Sequence, residues 1–400
     1  MARQSIQMTA DEKRAAFGLA GVYGFRMLGL FLILPVFALY AEDLAGATAL
    51  LTGIAVGIYG LTQAILQIPF GMLSDRIGRK PVIFAGLLLF ALGSIIAAMA
   101  DDIWIVILGR AIQGSGAIAA AVMALASDLT REEARTRVMA MIGMTIGFSF
   151  MLAMIIGPML NQWVGVSGIF WLTAMLAMLG IAIVALVVPN PTVSDHENHV
   201  VPSAQMIGGV LKNPDLLRLD LGIFSLHMIL TALFLAVPLA LRDAGFAPES
   251  HSMLYLPVML LSIAVMVPFV IMAEKKGRMK VTFLGAVAVL ALAQVFLWAG
   301  MDDFWFLAIG LWIFFTAFNL LEALLPSLVS KTAPAHAKGT AMGVYSTSQF
   351  FGAFAGGALG GWVHQSFDVG AVFLLGAGVG VIWLIAVLGM SKPVKKQSSA

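Results

Sequence analysis

Cysteine is absent from all 400 residues, which excludes disulfides, thiolate metal sites and c-type haem attachment. Charge is scarce as well. Asp, Glu, Lys and Arg make up 11% of the chain, less than half of the roughly 25% usual in soluble domains. The two signs nearly cancel, with 23 basic and 21 acidic residues, so no bulk attraction to nucleic acid is expected. No G-x-x-x-x-G-K-[ST] loop is present to cradle a nucleotide phosphate. If the protein moves a solute, a gradient drives it rather than bound ATP. No metal, cofactor or catalytic group is expected, and the chain does not read as an enzyme.

What fills the chain instead is apolar sequence. Hydrophobic residues make up 60%, enough for twelve membrane helices of about 20 residues each. The runs continue for 20 residues or more, unlike the alternating segments of about ten residues in a membrane β-barrel. They fall at 16–40, 47–73, 81–100, 103–126, 137–160 and 167–188, and then at 217–241, 252–273, 281–300, 303–329, 340–363 and 369–390. At 1.5 Å per residue each can cross about 30 Å of hydrocarbon. The first run is too long for a signal-peptide core and contains Arg26, which marks it as a retained span.

Twenty of the 23 basic residues lie in loops or termini on one side of these spans. They include Arg76, Arg79 and Lys80 between spans 2 and 3, Arg131, Arg135 and Arg137 between spans 4 and 5, and Lys275, Lys276, Arg278 and Lys280 between spans 8 and 9. The positive-inside rule makes that side, with both termini, cytoplasmic. Loops on the other side carry acids: Glu42 and Asp43, Asp101 and Asp102, Asp302 and Asp303. The polar stretch 190–214 separates six spans from six. PFGMLSDRIGRK at 69–80 corresponds to PFVIMAEKKGRM at 268–279, and DDIW at 101–104 to DDFW at 302–305. Matches in one order at nearly one spacing indicate a tandem duplication. The expected fold is an all-α integral membrane protein of twelve transmembrane helices in two pseudo-symmetric six-helix bundles. Residues 1–189 form the first bundle, 190–214 a cytoplasmic linker, 215–391 the second bundle and 392–400 a short cytoplasmic tail. Two such bundles face each other across a midplane site in rocking transporters.

Three segments stand out. In GMLSDRIGRKPVI, 71–83, Gly71 permits close helix approach, Gly78 makes a tight turn, and Asp75 can sit near the positive N-terminus of a facing helix. Arg79 can reach a second acid, for which Asp128 is the candidate; Arg76 and Lys80 complete this cytoplasmic latch. The second copy has Glu274 for Asp75 and Val270 for Gly71, so the latch should lie mostly in the first half. In GRAIQGSG, 109–116, Arg110 lies within span 4 with Gln113 one turn on. An arginine at that depth costs roughly 2.5–3.5 kcal/mol on insertion scales and needs a partner or a wet cavity. In span 5, Gly157-Pro158 reads as a kink in a packed helix. Other polar residues within spans are few: Arg26, Gln63 and Gln67, His227, and Asn319 with Glu322. Glu322, read as the one carboxylate clearly inside a span, leads as proton carrier or counter-charge, and Arg26 could pair with it. His227 titrates in the right range for proton exchange. The glycines of span 11, and Gly53, Gly57 and Gly60 of span 2, suit close packing of those two helices.

The 71–83 segment resembles the G-x-L-x-D-R-x-G-R-K motif of the major facilitator superfamily. Arg110, Gln113, Gly114 and Gly116 are similar to the span-4 motif of its proton-coupled members. Together with FNLLEALLPSLVSK and KGTAMGVYSTSQF, they resemble the YajR-type transporters of the proton-coupled drug antiporter branch. That resemblance implies a monomeric antiporter in the bacterial inner membrane that exchanges protons for small drug-like solutes, with span 2 meeting span 11 to close the cytoplasmic side. Proton coupling would fall to Arg110, Glu322, His227 and Arg26, and cavity lining to Gln63, Gln67, Gln113 and Asn319. The expected partners are a small-molecule substrate, protons and the lipid bilayer. Only SKPVKKQSSA follows span 12, where that type can carry a ferredoxin-like domain, so a short tail is expected in its place. A symporter importing a sugar or organic anion would share the fold, and a non-transporting scaffold or sensor remains the third reading.

Overall fold

The structure, a computed structural model, describes residues 8–190, 204–334 and 337–390. Arg3, the histidines at 196 and 199 in the linker, and the 392–400 tail lie outside the described residues. So do Lys392, Lys395 and Lys396.

Among the described residues the chain is helical, without named strands. In the first half α1 (Ala10–Phe31), α2 (Phe37–Ala41), α3 (Ala49–Ile77) and α4 (Arg79–Ala98) are followed by α5 (Ile103–Ser115), α6 (Ala119–Asp128) and α7 (Glu132–Leu186). A short α8 (Ala204–Leu211) leads into α9 (Pro214–Asp243) and α10 (His251–Lys275). The chain then runs through α11 (Met279–Ala299), α12 (Phe304–Thr332), α13 (Lys338–Ser366) and α14 (Val369–Leu388).

Polar residues between the apolar runs start the helices. Thr9, Thr48, Asp102, Asn213, Asp303 and Asp368 each accept a hydrogen bond from a backbone N–H of the first turn, satisfying donors that lipid cannot. The repeated D-D-x-W sequence is such a cap in both halves: Asp102 accepts from the Trp104 amide and Asp303 from the Trp305 amide. Among the described residues nine helices are long and apolar enough to cross a membrane. One of them, α7, makes two passages, because Gly165 takes φ 67° and ψ 177° and turns the chain; that left-handed φ favours glycine. Adding α1 with α2, and the glycine-rich α13, gives twelve.

Two passages are interrupted where the sequence reads as continuous. The first breaks ahead of α2 at Pro35, and the fourth breaks between α5 and α6 at residues 116–118. There the glycines let backbones touch: a Cβ on Gly116 would lie 2.2 Å from the Gly86 carbonyl oxygen. Within the first half α7 packs on α1 and α4, and α5 on α3 and α4. Within the second, α9 packs on α13 and α14, α11 on α12 and α14, and α10 on α12.

The halves meet chiefly through α3 with α13 and through α7 with α10. Gly53, Gly57 and Gly60 of α3 lie so close to the α13 backbone at Gly357, Gly361, Phe354 and Phe350 that any Cβ there would collide. The inter-half polar contacts are at the same, acidic end. Arg242 pairs with Glu42, the Leu50 amide donates to Gln365 Oε1, and Gln162 donates to the Glu249 carbonyl. Towards the basic end the helices separate. Gly339 and Gly343 near the start of α13 have nothing within 4 Å of a Cβ position, and the nearest atom to Gly71 is the Cβ of Ala120 in its own half.

Candidate functional site

Two buried cations lie within the spans of the first half. Arg26 on α1 and Arg110 on α5 are each 1% exposed, and neither has an acidic partner among the described residues. Arg26 donates from Nη2 to Gln63 Oε1 at 2.7 Å and to the Gly116 carbonyl at 3.0 Å. The break between α5 and α6 thus leaves a carbonyl that a cation takes up. Arg110 donates to Gln113 Oε1 at 2.7 Å and, at 3.3 Å each, to the carbonyls of Ala55 and Val56 on α3. The Tyr59 ring lies between the two guanidinium groups, 5.7 Å from that of Arg26 and 5.1 Å from that of Arg110. Hydrogen bonds to charged groups contribute about 1.5–3 kcal/mol each and a desolvated cation–π contact about 2. Arg110 therefore gains enough to offset its insertion cost without a carboxylate. Gln113 is fixed by donating to Ser94 Oγ at 2.6 Å, and Gln63 reaches Gln67 at 3.3 Å.

The second half instead places a half-buried carboxyl within its spans. Glu322 on α12 has Oε1 3.4 Å from His227 Nε2 on α9, and the same nitrogen lies 2.8 Å from Gln349 Nε2 on α13. Three helices thus converge on one imidazole. The Arg26–Glu322 pair read from the sequence is not formed, since Arg26 is held by Gln63 and Gly116. Asn319, one turn before Glu322, faces a different neighbour and donates to Ser262 on α10 at 3.0 Å. A second carboxylate lies inside a span: Asp220 on α9 is 6% exposed, which corrects the reading of Glu322 as the one such group. Three residues into the seventh apolar run of the chain, its charge looks like a helix end in the sequence, and helix packing is what buries it.

Aromatic rings join the two halves between these clusters. Phe150 of α7 lies 5.8 Å from Phe318, 6.2 Å from Phe315 and 6.3 Å from Phe234, and 5.2 Å from Phe31 in its own half. The Phe318 ring is 6.1 Å from the His227 imidazole. Gly157, next to Pro158 within α7, packs against the Leu32 carbonyl and the Pro35 ring at the break in the first span.

At the basic end, Gly78 takes φ 97° and turns α3 into α4. The buried Arg79 side chain donates to Asp75, to Ser74 Oγ at 2.8 Å and to Asp128 Oδ2 at 3.2 Å. Asp75 therefore engages Arg79 here, and the start of α13 is not packed against the Gly71 turn. Lys80 donates to the Val188 carbonyl at 2.6 Å, closing the end of the sixth passage, and Arg76 is exposed. A further contact was not anticipated. Glu12 in the first turn of α1 takes hydrogen bonds from the Arg131 side chain at 2.8 and 2.9 Å and from its backbone amide at 3.0 Å. Arg131 is the main cause of a Glu12 pKa held down at about 2, with burial opposing it. In the second half Glu274 and Arg278 are exposed, and no ion pair joins them among the described residues.

A family model described as Major Facilitator Superfamily matches residues 19–357 and 219–400. The chain belongs to the Major Facilitator Superfamily. Within it, the chain is 52% identical over 389 residues to the Inner membrane transport protein YajR of Escherichia coli (strain K12), covering 97% of this chain and 85% of that protein. It is 25% identical to the Multidrug resistance protein MdtH of Yersinia enterocolitica, covering 91% and 90%. Two solved structures share the fold. A bacterial homologue of the human lysosomal transporter Spinster, in an inward-facing and occupied conformation, superposes with a TM-score of 0.76 at 13% identity, covering 98% and 100%. The human organic anion transporter MFSD10 (TETRAN) does so at 0.69 and 19% identity, covering 95% and 100%. The protein is thus a membrane transporter of this superfamily, and its substrate is a small molecule.

Gln349, Tyr59, Ser94 and Asp220 were not singled out from the sequence. Ser and Gln within STSQFFG offer no periodic signal, and their partners lie on other helices.

Proposed function

We propose that the protein is a proton-coupled antiporter of the bacterial inner membrane that exports small drug-like or amphipathic solutes by alternating access. The observation that carries this reading is the His227–Glu322–Gln349 contact. A neutral imidazole accepts from the Gln349 amide at Nε2, whereas a proton on Nε2 would turn that nitrogen into a donor towards Glu322. One proton therefore changes which neighbour α9 binds, α13 or α12, and so couples protonation to helix position. Arg26 and Arg110 supply fixed positive charge opposite this pair. Gln63, Gln67 and Asn319 give the space between the halves a few polar contacts, and the phenylalanines give it apolar surface. The name of the MdtH relative supports a multidrug substrate class, and that of YajR an inner-membrane location.

In this reading the basic ends and both termini are cytoplasmic, and the separation of α3 from the start of α13 is the inward-open state. The Asp75–Arg79–Asp128 cluster then holds the turn of the first half ready to close on α13. Proteoliposomes with an imposed pH gradient and an entrapped pH dye test the function. Solute moving against the proton supports antiport. Solute moving with it makes the protein a symporter, and no solute-dependent proton flux across a panel of lipophilic cations and anions overturns coupling.

A further inference from the structure

Asp220 plays no part in the contacts described so far. Its carboxyl is buried, and Oδ2 has no hydrogen-bond partner among the described residues. Buried hydroxyl and N–H groups are left equally unpartnered nearby. Tyr345 on α13 is 4% exposed, and its hydroxyl has no hydrogen-bond partner among the described residues. The Trp383 indole of α14, also without an acceptor, packs against Gly222, two residues along from Asp220. Lys338 opens α13 at the basic end, and three other charged groups on the surrounding elements are engaged elsewhere. Arg218 pairs with Asp215 at 2.8 Å, Lys331 reaches Met279 at 3.0 Å, and Glu42 pairs with Arg242 at the far end of α9. The α8 and α14 helices carry no ionisable side chain. Among the described residues no ion pair reaches Asp220, and an unpaired carboxyl is costly to bury in its charged form.

Depth orders these groups. At 1.5 Å per residue from the basic-end terminus of its own helix, Asp220 lies roughly 9 Å in, Tyr345 about 10 Å, Glu322 about 15 Å and His227 about 20 Å. The separated basic end is the side from which water would reach them, and Asp220 comes first.

We propose that Asp220 is a second intramembrane proton-binding site, standing between water at the basic end and the Glu322–His227 pair. Its carboxylate takes up a proton when the buried site is closed and gives it to water when the basic end is open. The inference rests on the proton-coupled reading of the same half.

Infrared difference spectroscopy on the purified full-length protein, titrated through neutral pH in detergent, tests it without a transport substrate. The wild type should show two protonated-carboxyl bands, with Asp220→Asn removing one and Glu322→Gln the other. Asp220→Glu should retain both, which controls for misfolding. In proteoliposomes Asp220→Asn should move the midpoint of the transport pH profile by about one unit, a tenfold change in apparent proton affinity. If both bands survive Asp220→Asn while Glu322→Gln still removes one, the Asp220 site is wrong and the coupling reading stands. If neither variant removes a band, both fall.

Discussion

Among the described residues the spans of the first half bury Arg26 and Arg110 with no carboxylate partner, whereas those of the second half hold Asp220, Glu322 and His227 with no arginine paired to them. Arginine keeps its charge at any physiological pH, so the first half presents a fixed field. On the proposed reading the carboxyls and imidazole of the second half exchange protons, and the two bundles would divide the labour: one holds geometry, and the other responds to protons. That division says where substitutions should abolish transport and where they should only retune it.

The largest effect is expected at Arg110. Arg110→Ala leaves Gln113 Oε1 and the Ala55 and Val56 carbonyls without their side-chain donor, at about 1–3 kcal/mol for each buried group left unsatisfied. Gradient-driven transport should fall to background. Arg110→Lys sharpens the comparison, because lysine keeps the charge but cannot fork between two carbonyls and Gln113. Transport lost in the lysine variant at near wild-type thermal stability places the requirement in geometry. Transport retained there reduces it to charge. Poor insertion with full transport in the surviving fraction would make Arg110 purely structural and break the comparison.

Glu322→Gln should be the next largest. Glutamine keeps size and hydrogen bonding but holds no exchangeable proton, so substrate binding should persist with a pH dependence flattened by about tenfold across the working range. Binding and transport followed from pH 6 to 8 check this. An unchanged profile would remove Glu322 as a carrier and leave His227 and Asp220.

Much of this was open to a reader of the sequence, for a physical reason. Lipid gives backbone groups no alternative partners, so spans must be long, apolar and bounded by polar caps, and the twelve passages follow. The breaks were less visible. Pro35 announces one, but the interruption at 116–118 depends on how Gly116 meets Gly86 on another helix. The same limit applied to the site. Arg79 and Asp128 could be matched because a loop and a helix end are near in any hairpin of this kind. The partners of His227 could not, since Gln349 is 122 residues away and nothing in its local pattern marks it. A pairing of Arg26 with Glu322 stayed open on charge alone, and the amide and carbonyl oxygens of its own bundle that engage Nη2 lie on other helices.

A smaller effect is expected at the duplicated loop. Asp75→Asn weakens the hold on Arg79 by one charged hydrogen bond, about 1.5–3 kcal/mol, and a bias of that size shifts two conformations of similar energy. Spin labels on the basic-end termini of α3 and α13 should report a changed distance distribution. Glu274→Gln, at an exposed position with no ion pair to lose, should leave the distribution alone. An equal shift from both would mean that the loops are equivalent and that the asymmetry has no mechanical consequence.

The smallest effect concerns Glu12, which ties the start of α1 to the loop before α7 and lies ahead of the first span. Its pKa, about 2 in the folded protein against a reference of 4.5, means that the ionised form is favoured by folding. The stabilisation is therefore complete above about pH 4.5 and is lost as the pH falls towards about 2. Glu12→Gln also removes an acceptor from the Thr9 capping box, so its Tm in detergent should drop by about 2 °C at pH 7. The gap to wild type should narrow by about pH 3, while the transport pH profile near neutrality stays as it was. A moved profile would show that this contact communicates with the proton-responsive half. A stability difference that does not depend on pH would mean that the Arg131 contact gains nothing from the carboxylate charge.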